Sequence, residues 1–289
     1  MTDTIPIRGI DLADREAVER LYSAWGQGDS ARAFPSLYLW RQEMELSLLL
    51  EEEAYAVRSG WRGAWFFPCG SPRGKRACLA RLLEAGVRRL CYLTREDAAF
   101  LETCFPGRFA VREVPEDSEY LYDRGEMISL PGRRFAKLRN LYRRLEREHE
   151  LEVRPLTSAL LPELREIAGE WREKRRPDDI SDETAAEALM DHWTELRVRG
   201  VMLYVDKVPW AAAAGYPLGE KAFDCCFQKA RRNIPGMTEY LRAALARSLP
   251  PAVERLNYEE DLGVEGLRIM KKRLRPCAMI TMYTGEESL

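Results

Sequence analysis

The chain has 289 residues, 46% hydrophobic and 32% charged, with a formal net charge of −2. That balance is the mark of a soluble globular protein and excludes both a disordered segment and a general nucleic-acid coat. No window reaches the roughly 18 apolar residues of a membrane span, and Met1 to Asp11 lacks a charged and then apolar leader pattern, which predicts a cytoplasmic protein without a transmembrane segment.

Two histidines and seven cysteines without C-x-x-C spacing argue against a metal cluster or a disulfide frame, so no metal site is expected. The length suits two domains of about 140 residues each.

Along the chain, Leu12, Val18, Leu21 and Tyr22 recur at helical spacing behind Asp11, a candidate N-cap, and Gly26 and Gly28 end that helix. Leu37 to Trp40 read as core. Leu46 to Leu50, Ala54 to Arg58 and Ala64 to Pro68 read as strands. Ser71-Pro72-Arg73-Gly74-Lys75 lacks the full phosphate-loop spacing and reads as a turn that starts a helix over Cys78, Leu79, Leu82 and Leu83. A strand over Val87 to Leu93, a helix over residues 96 to 104, and strands over Phe109 to Val114 and Tyr120 to Tyr122 follow.

Pro131-Gly132 opens the most basic stretch. Phe135, Leu138, Leu141 or Tyr142, and Leu145 fall on one face of a helix, and Arg133, Arg134, Lys137, Arg139, Arg143, Arg144 and Arg147 lie outside it. Those cations either solubilise a surface helix or, with the positive helix N-terminus, hold an anion.

A short strand over Glu150 to Pro155 begins the second half. Leu160, Leu164, Ile167 and Trp171 mark one helix, stopped by Arg176-Pro177; Ser181 caps another that buries Ala185, Leu189, Trp193 and Leu196. Val201 to Val205, Trp210 to Tyr216 and Lys221 to Gln228 predict a three-stranded meander. A helix over Thr238 to Ser248, a strand over Val253 to Leu256, a helix after Gly266 and a last strand over Cys277 to Tyr283 complete the pattern.

The densest stretch is Asn257-Tyr258-Glu259-Glu260-Asp261-Leu262-Gly263-Val264-Glu265-Gly266-Leu267-Arg268-Ile269-Met270-Lys271-Lys272. Three acids and two glycines form a turn between strand and helix, and helical spacing sets Arg268, Lys271 and Lys272 on one exposed flank. Asp261 either acts chemically or only bonds to the amides of the Gly263 turn; Gly266 either faces a ligand or only permits close helix packing.

The pattern Asn257-x-x-x-Asp261-Leu262-Gly263-x-x-Gly266-Leu267-Arg268-x-x-Lys271, with Pro276 beyond it, resembles the C-terminal signature of bacterial proteins with a phosphatidylglycerol lysyltransferase C-terminal-like domain. Tyr120-Leu121-Tyr122 followed by Ile128-Ser129-Leu130-Pro131-Gly132-Arg133-Arg134-Phe135-x-Lys137-x-Arg139-Asn140 resembles the other signature of that family. The resemblance implies a mixed α/β (α+β) fold of two tandem GNAT-like domains similar to Fem-type aminoacyl transferases. We place these at residues 1–149 and 150–289.

On that basis the expected reaction moves an acyl or aminoacyl group to an amine or hydroxyl of a small-molecule, peptide or lipid acceptor. The donor carries phosphates: an aminoacyl-tRNA end or an acyl-CoA. An acetyl-CoA-dependent N-acetyltransferase and a non-catalytic anion- or nucleotide-binding module are the alternatives.

The active cleft is expected where Lys221 to Gln228 and Val253 to Leu256 splay as parallel strands. Glu259, Glu260 and Asp261 are candidate bases or amine-recognition groups, Tyr258 a candidate acid, and backbone amides near Cys226 a candidate oxyanion site. Adjacent Cys225 and Cys226 face opposite sides of a strand and neither is expected as nucleophile. Asn257, Gly263, Gly266, Arg268, Lys271, Arg133, Lys137, Arg139 and Asn140 are candidates for substrate binding. Arg231, Arg232 and Gly236 are candidates for donor binding, although one glycine in that loop offers few amides to a pyrophosphate.

Overall fold

The computed structural model describes residues 5–174, 182–232 and 234–288. In the first half, β1 (Arg8–Gly9), α1 (Arg15–Trp25) and α2 (Phe34–Leu39) precede the antiparallel strands β2 (Leu46–Leu50), β3 (Ala54–Ser59) and β4 (Ala64–Gly70). Then come α3 (Pro72–Glu84), β5 (Arg89–Leu93), α4 (Arg95–Cys104) and β6 (Phe109–Glu113). Every residue of β4 is buried, as a strand covered on both faces requires. On α3 the apolar positions Cys78, Leu79, Leu82 and Leu83 join Phe67, Leu90 and Leu101 in one core.

Continuing, β7 (Glu119–Asp123), α5 (Arg124–Ser129), α6 (Ala136–Glu148) and β8 (Leu151–Pro155) lead to α7 (Leu161–Glu173) and α8 (Glu183–Asp191). The meander is β9 (Arg199–Val205), β10 (Val208–Pro217) and β11 (Ala222–Ala230). After α9 (Met237–Ser248) and β12 (Arg255–Asn257) the chain ends with α10 (Glu265–Arg273), β13 (Ala278–Ile280) and β14 (Tyr283–Glu287). The Arg176-Pro177 stop and the Ser181 cap expected between α7 and α8 lie outside the described residues, as does Asn233.

Both halves therefore repeat one order: two helices, three antiparallel strands, a crossover helix, a parallel strand, a helix and a strand. The parallel pairs are β4 with β5 across α3, and β11 with β12 across α9. This is a tandem GNAT-like architecture, and the repeat that the sequence hides is plain in the topology.

The sheets run β1-β2-β3-β4-β5-β14-β6 and β13-β7-β12-β11-β10-β9-β8. Beyond the repeated order, β7 of the first half joins the second half's sheet and β14 of the second half joins the first half's. The compact units follow this exchange: one comprises Met1–Tyr120, Glu260–Met270 and Met279–Leu289, the other Leu121–Glu259 and Lys271–Ala278. They do not coincide with a division at residue 150, because β7 pairs with β12 from Leu121↔Asn257 to Asp123↔Arg255, and the Tyr142 hydroxyl on α6 donates 2.6 Å to the Glu239 carbonyl on α9. The last strand expected over residues 277–283 is two strands, β13 and β14.

Candidate active site

In the second unit the parallel register of β11 and β12 runs Ala222↔Arg255, Phe223↔Leu256, Asp224↔Asn257 and stops, while β11 continues to Ala230 against β10. The strands splay at Asp224, as expected for this segment. The divergence has a local cause. Buried Asn257 accepts the Glu259 amide on its Oδ1 at 2.8 Å, and Glu259 adopts a left-handed φ of 55°, so the chain turns away from β11.

Lys271 secures that turn. Its ammonium is buried, 7% exposed, and donates to the carbonyls of Tyr258 at 2.5 Å and Glu259 at 3.2 Å. It does not share an exposed flank with Arg268 and Lys272, and of the three only Lys272 is exposed.

Beside the splay lie two groups that sequence reasoning missed. Asp224 is fully buried and stands opposite Tyr216 in the β10–β11 register. Burial, then the charge of Asp224 and that of Glu259, push the Cys226 thiol well up, and burial with Asp224 pushes up that of Cys225. Both thiols stay protonated near neutral pH, which removes the sulfur nucleophile. The signal for Asp224 was a lone acid inside the apolar run Ala222 to Phe227.

Tyr258 is a poor proton donor here. Its ring meets Tyr122 edge-on at 5.3 Å, the Arg242 guanidinium lies 4.5 Å from its centroid, and burial lifts its phenol well above the usual range. Arg242 is itself buried, with its Nε 2.8 Å from Gln228 Oε1. The apolar pattern of α9 gave no hint of this stack.

In the first unit Asp261 is the centre of a closed network. Its carboxylate, 1% exposed, accepts the Tyr120 hydroxyl at 2.7 Å, Arg268 Nε and Nη2 at 2.9 and 3.0 Å, and the Gly263 amide at 3.0 Å. Burial alone would raise its pKa, but these donors outweigh it and hold the carboxyl below the ordinary range. Conversely, burial and the Asp261 bond raise the Tyr120 phenol to about 12. With both oxygens engaged, Asp261 shapes the turn and is badly placed as a base.

Gly263, at φ 73°, supplies the left-handed residue of that turn. Gly266 has no packing role, since a Cβ there would meet nothing within 4 Å. Glu260 is half-buried, and its charge, after burial, raises the phenol of Tyr92.

The donor-binding candidates divide. Arg231 donates 2.7 Å to the Pro209 carbonyl and pairs with Glu166 and Glu170, so it is a structural bridge. Arg232 is exposed. Gly236 has a φ of 88°, and a Cβ there would come 2.8 Å from Leu141 Cβ, so its place is set by packing of α9 on α6. No side chain caps α9, but its first turn carries Glu239, buried and paired with Arg273. A fixed carboxylate there opposes a phosphate.

On the basic helix, a 3-10 turn over Arg133–Phe135 moves the start of α6 to Ala136. Arg139 donates to the carbonyls of Leu130 and of Gly132 (2.7 Å), closing the end of α5, while Arg134 pairs with Glu126. Arg133, Lys137 and Asn140 are exposed. Among the described residues no helix is long and apolar enough to cross a membrane, and no group of three or more His, Cys, Asp or Glu side chains could hold a metal ion.

The sequence profile described as "Phosphatidylglycerol lysyltransferase, C-terminal" matches residues 23–284. The chain belongs to that family. A conserved protein of unknown function from Bacteroides thetaiotaomicron aligns at a TM-score of 0.89, with 23% identity over 99% of this chain and 100% of that one. The C-terminal domain of a putative lysylphosphatidylglycerol synthetase from Agrobacterium fabrum aligns at a TM-score of 0.69, with 15% identity over 96% and 93% of the two chains. L-PGS from Bacillus licheniformis aligns at 0.64, also with 15% identity, over 95% and 92%. Among curated proteins none matches this sequence.

Proposed function

We propose that this lysyltransferase-family protein transfers an aminoacyl group from tRNA to an amine or hydroxyl on a lipid, peptide or small-molecule acceptor. The observation that carries the reading is the splay at Asp224/Asn257, which frees the edge of β11 beside two carboxylates, Asp224 and Glu259. The acceptor N–H or O–H attacks the ester carbonyl carbon, a C–N or C–O bond forms, and the ester C–O bond to the tRNA ribose breaks. Glu259 takes the acceptor's proton and returns it to the leaving ribose oxygen; an amide of β11 near Cys226 stabilises the oxyanion.

Coenzyme A is the less suitable donor. The β11–α9 loop has Gly236 packed against Leu141, Arg231 tied to Glu166 and Glu170, and Glu239 at the helix start. Exposed Arg133, Lys137, Arg232 and Lys272 are side-chain cations suited to several phosphates.

A melting scan and a filter-binding titration, run side by side with acetyl-CoA and charged tRNA, test this. A ligand at about 100 times its Kd stabilises a fold by about 2.7 kcal/mol. The expected result is tRNA retention that falls steeply with salt and no shift with acetyl-CoA. A clear acetyl-CoA shift with no tRNA retention at low salt would point to an ordinary acetyltransferase.

A further inference from the structure

An open basin of about 640 Å³ lies within the second unit at the start of β12, the end of that strand away from the splay. Its volume falls in the ~300–1,000 Å³ range of small-molecule sites. Charged side chains dominate the lining: Arg134, Arg255, Lys272 and Arg275 against Asp123 and Glu126.

Both acids are already committed. Asp123 caps α5 by accepting the Glu126 amide at 2.9 Å, and its other oxygen accepts Arg255 Nη1 at 2.7 Å. Glu126 pairs with Arg134. Lys272 and Arg275 are exposed and make no side-chain hydrogen bond or ion pair among the described residues. The basin therefore keeps two uncompensated positive charges.

Arg275 holds its place against local preference. It follows α10 at a left-handed φ of 62°, a conformation that favours glycine after a helix, and its amide donates 3.0 Å to the Lys272 carbonyl. Cations near a helix C-terminus complement its dipole, but Lys271, Lys272 and Arg273 already fill the last turn of α10. The dipole does not require an arginine at this backbone position.

An adjoining space of about 10 Å³, enough for one water-sized group, shares Asp123, Glu126 and Arg275 with the basin. Arg242 lines it, 5% exposed; its Nη1 meets no hydrogen-bond acceptor, and it forms no ion pair among the described residues. Glu239, which also lines this space, is taken by Arg273. A further unanswered cation thus stands beside the basin.

We propose that the basin binds a dianionic phosphate, free or as a small phosphomonoester, held by Lys272 and Arg275. Such a phosphate carries about −1.5 to −2 at pH 7, which matches two surplus cations, whereas a diester or a carboxylate carries one charge. The site does not rest on aminoacyl transfer, because the phosphates along a tRNA strand are diesters, so either reading can fail alone.

The test is calorimetric titration of the full chain in low-salt buffer with inorganic phosphate and glycerol 3-phosphate, with dimethyl phosphate and acetate as singly charged controls. Saturable one-to-one binding of the dianions alone is expected, and the tighter of the two names the source, free or esterified. Arg275→Gly should weaken binding about tenfold, as for loss of a charge-assisted contact, yet melt no lower than the parent, because glycine suits the left-handed backbone. Lys272→Met should weaken binding similarly without moving the melt. A thermal shift caused by the phosphomonoester of acetyl-CoA in this basin would vanish in Arg275→Gly, which keeps this test apart from that of the donor. Absence of saturable phosphate binding, equal binding of dimethyl phosphate or acetate, or unchanged affinity in either variant would overturn the proposal.

Discussion

Replacing Lys271 with Met separates a structural ammonium from a ligand-binding one. Methionine keeps the unbranched stem but takes the donor away from two carbonyls, that of buried Tyr258 and that of half-buried Glu259. A buried acceptor left without its donor costs about 1–3 kcal/mol. Taking most of that range for Tyr258 and less for Glu259, which sits nearer solvent, gives about 3 kcal/mol. At about 2–4 °C per kcal/mol, the melting temperature should fall by about 6–12 °C. Lys272→Met is the control: that side chain is exposed, and the change should stay within about 0.5 kcal/mol. Tryptophan fluorescence melts of the three proteins, with tRNA retention measured alongside, provide the assay. If Lys271→Met melts with the parent but no longer retains ligand, Lys271 is a binding cation and the account of the turn is wrong.

Glycines at two helix starts should respond oppositely. Gly236→Ala forces a side chain onto Leu141 at a left-handed φ and should cost about 2 kcal/mol, whereas Gly266→Ala meets open space and should stabilise α10 by about 0.5 kcal/mol; equal melting temperatures would contradict the geometry. Asp261 has a folded-state pKa below its unfolded value of about 4, so its contribution is complete above that value and lost as pH falls through the lower one. Asp261→Asn should therefore lower stability at pH 7 and flatten the acid limb between about pH 5 and pH 2 in denaturant titrations; parallel acid limbs would refute this. Ending the chain after Met282 removes β14 from between β5 and β6, and limited proteolysis should then cut within residues 1–120 first. Unchanged protease resistance there would show that β14 is dispensable.

The residues that build local structure were legible in the sequence. Period-2 and period-3.6 patterns located the meander, α3, α6 and α9, because burial of one face is written into neighbouring positions. The strand–turn–helix at residues 257–272 was legible for the same reason: Asn257, Gly263 and the acids are turn formers whose preference is local. What the sequence could not disclose depends on pairs far apart in the chain. Asp261 meets Tyr120 across 141 positions and Tyr142 meets Glu239 across 97, and no periodicity encodes such partners. Lys271 read as an exposed cation open to a ligand because helical spacing specifies direction relative to its own helix, not what lies opposite. Only the folded chain places two carbonyls there. The exchange of β7 and β14 is likewise invisible locally, since a strand's side-chain pattern records which face is buried and not which sheet accepts its hydrogen bonds. Tertiary structure alone settles that choice, because backbone pairing is nonlocal and almost indifferent to side-chain identity.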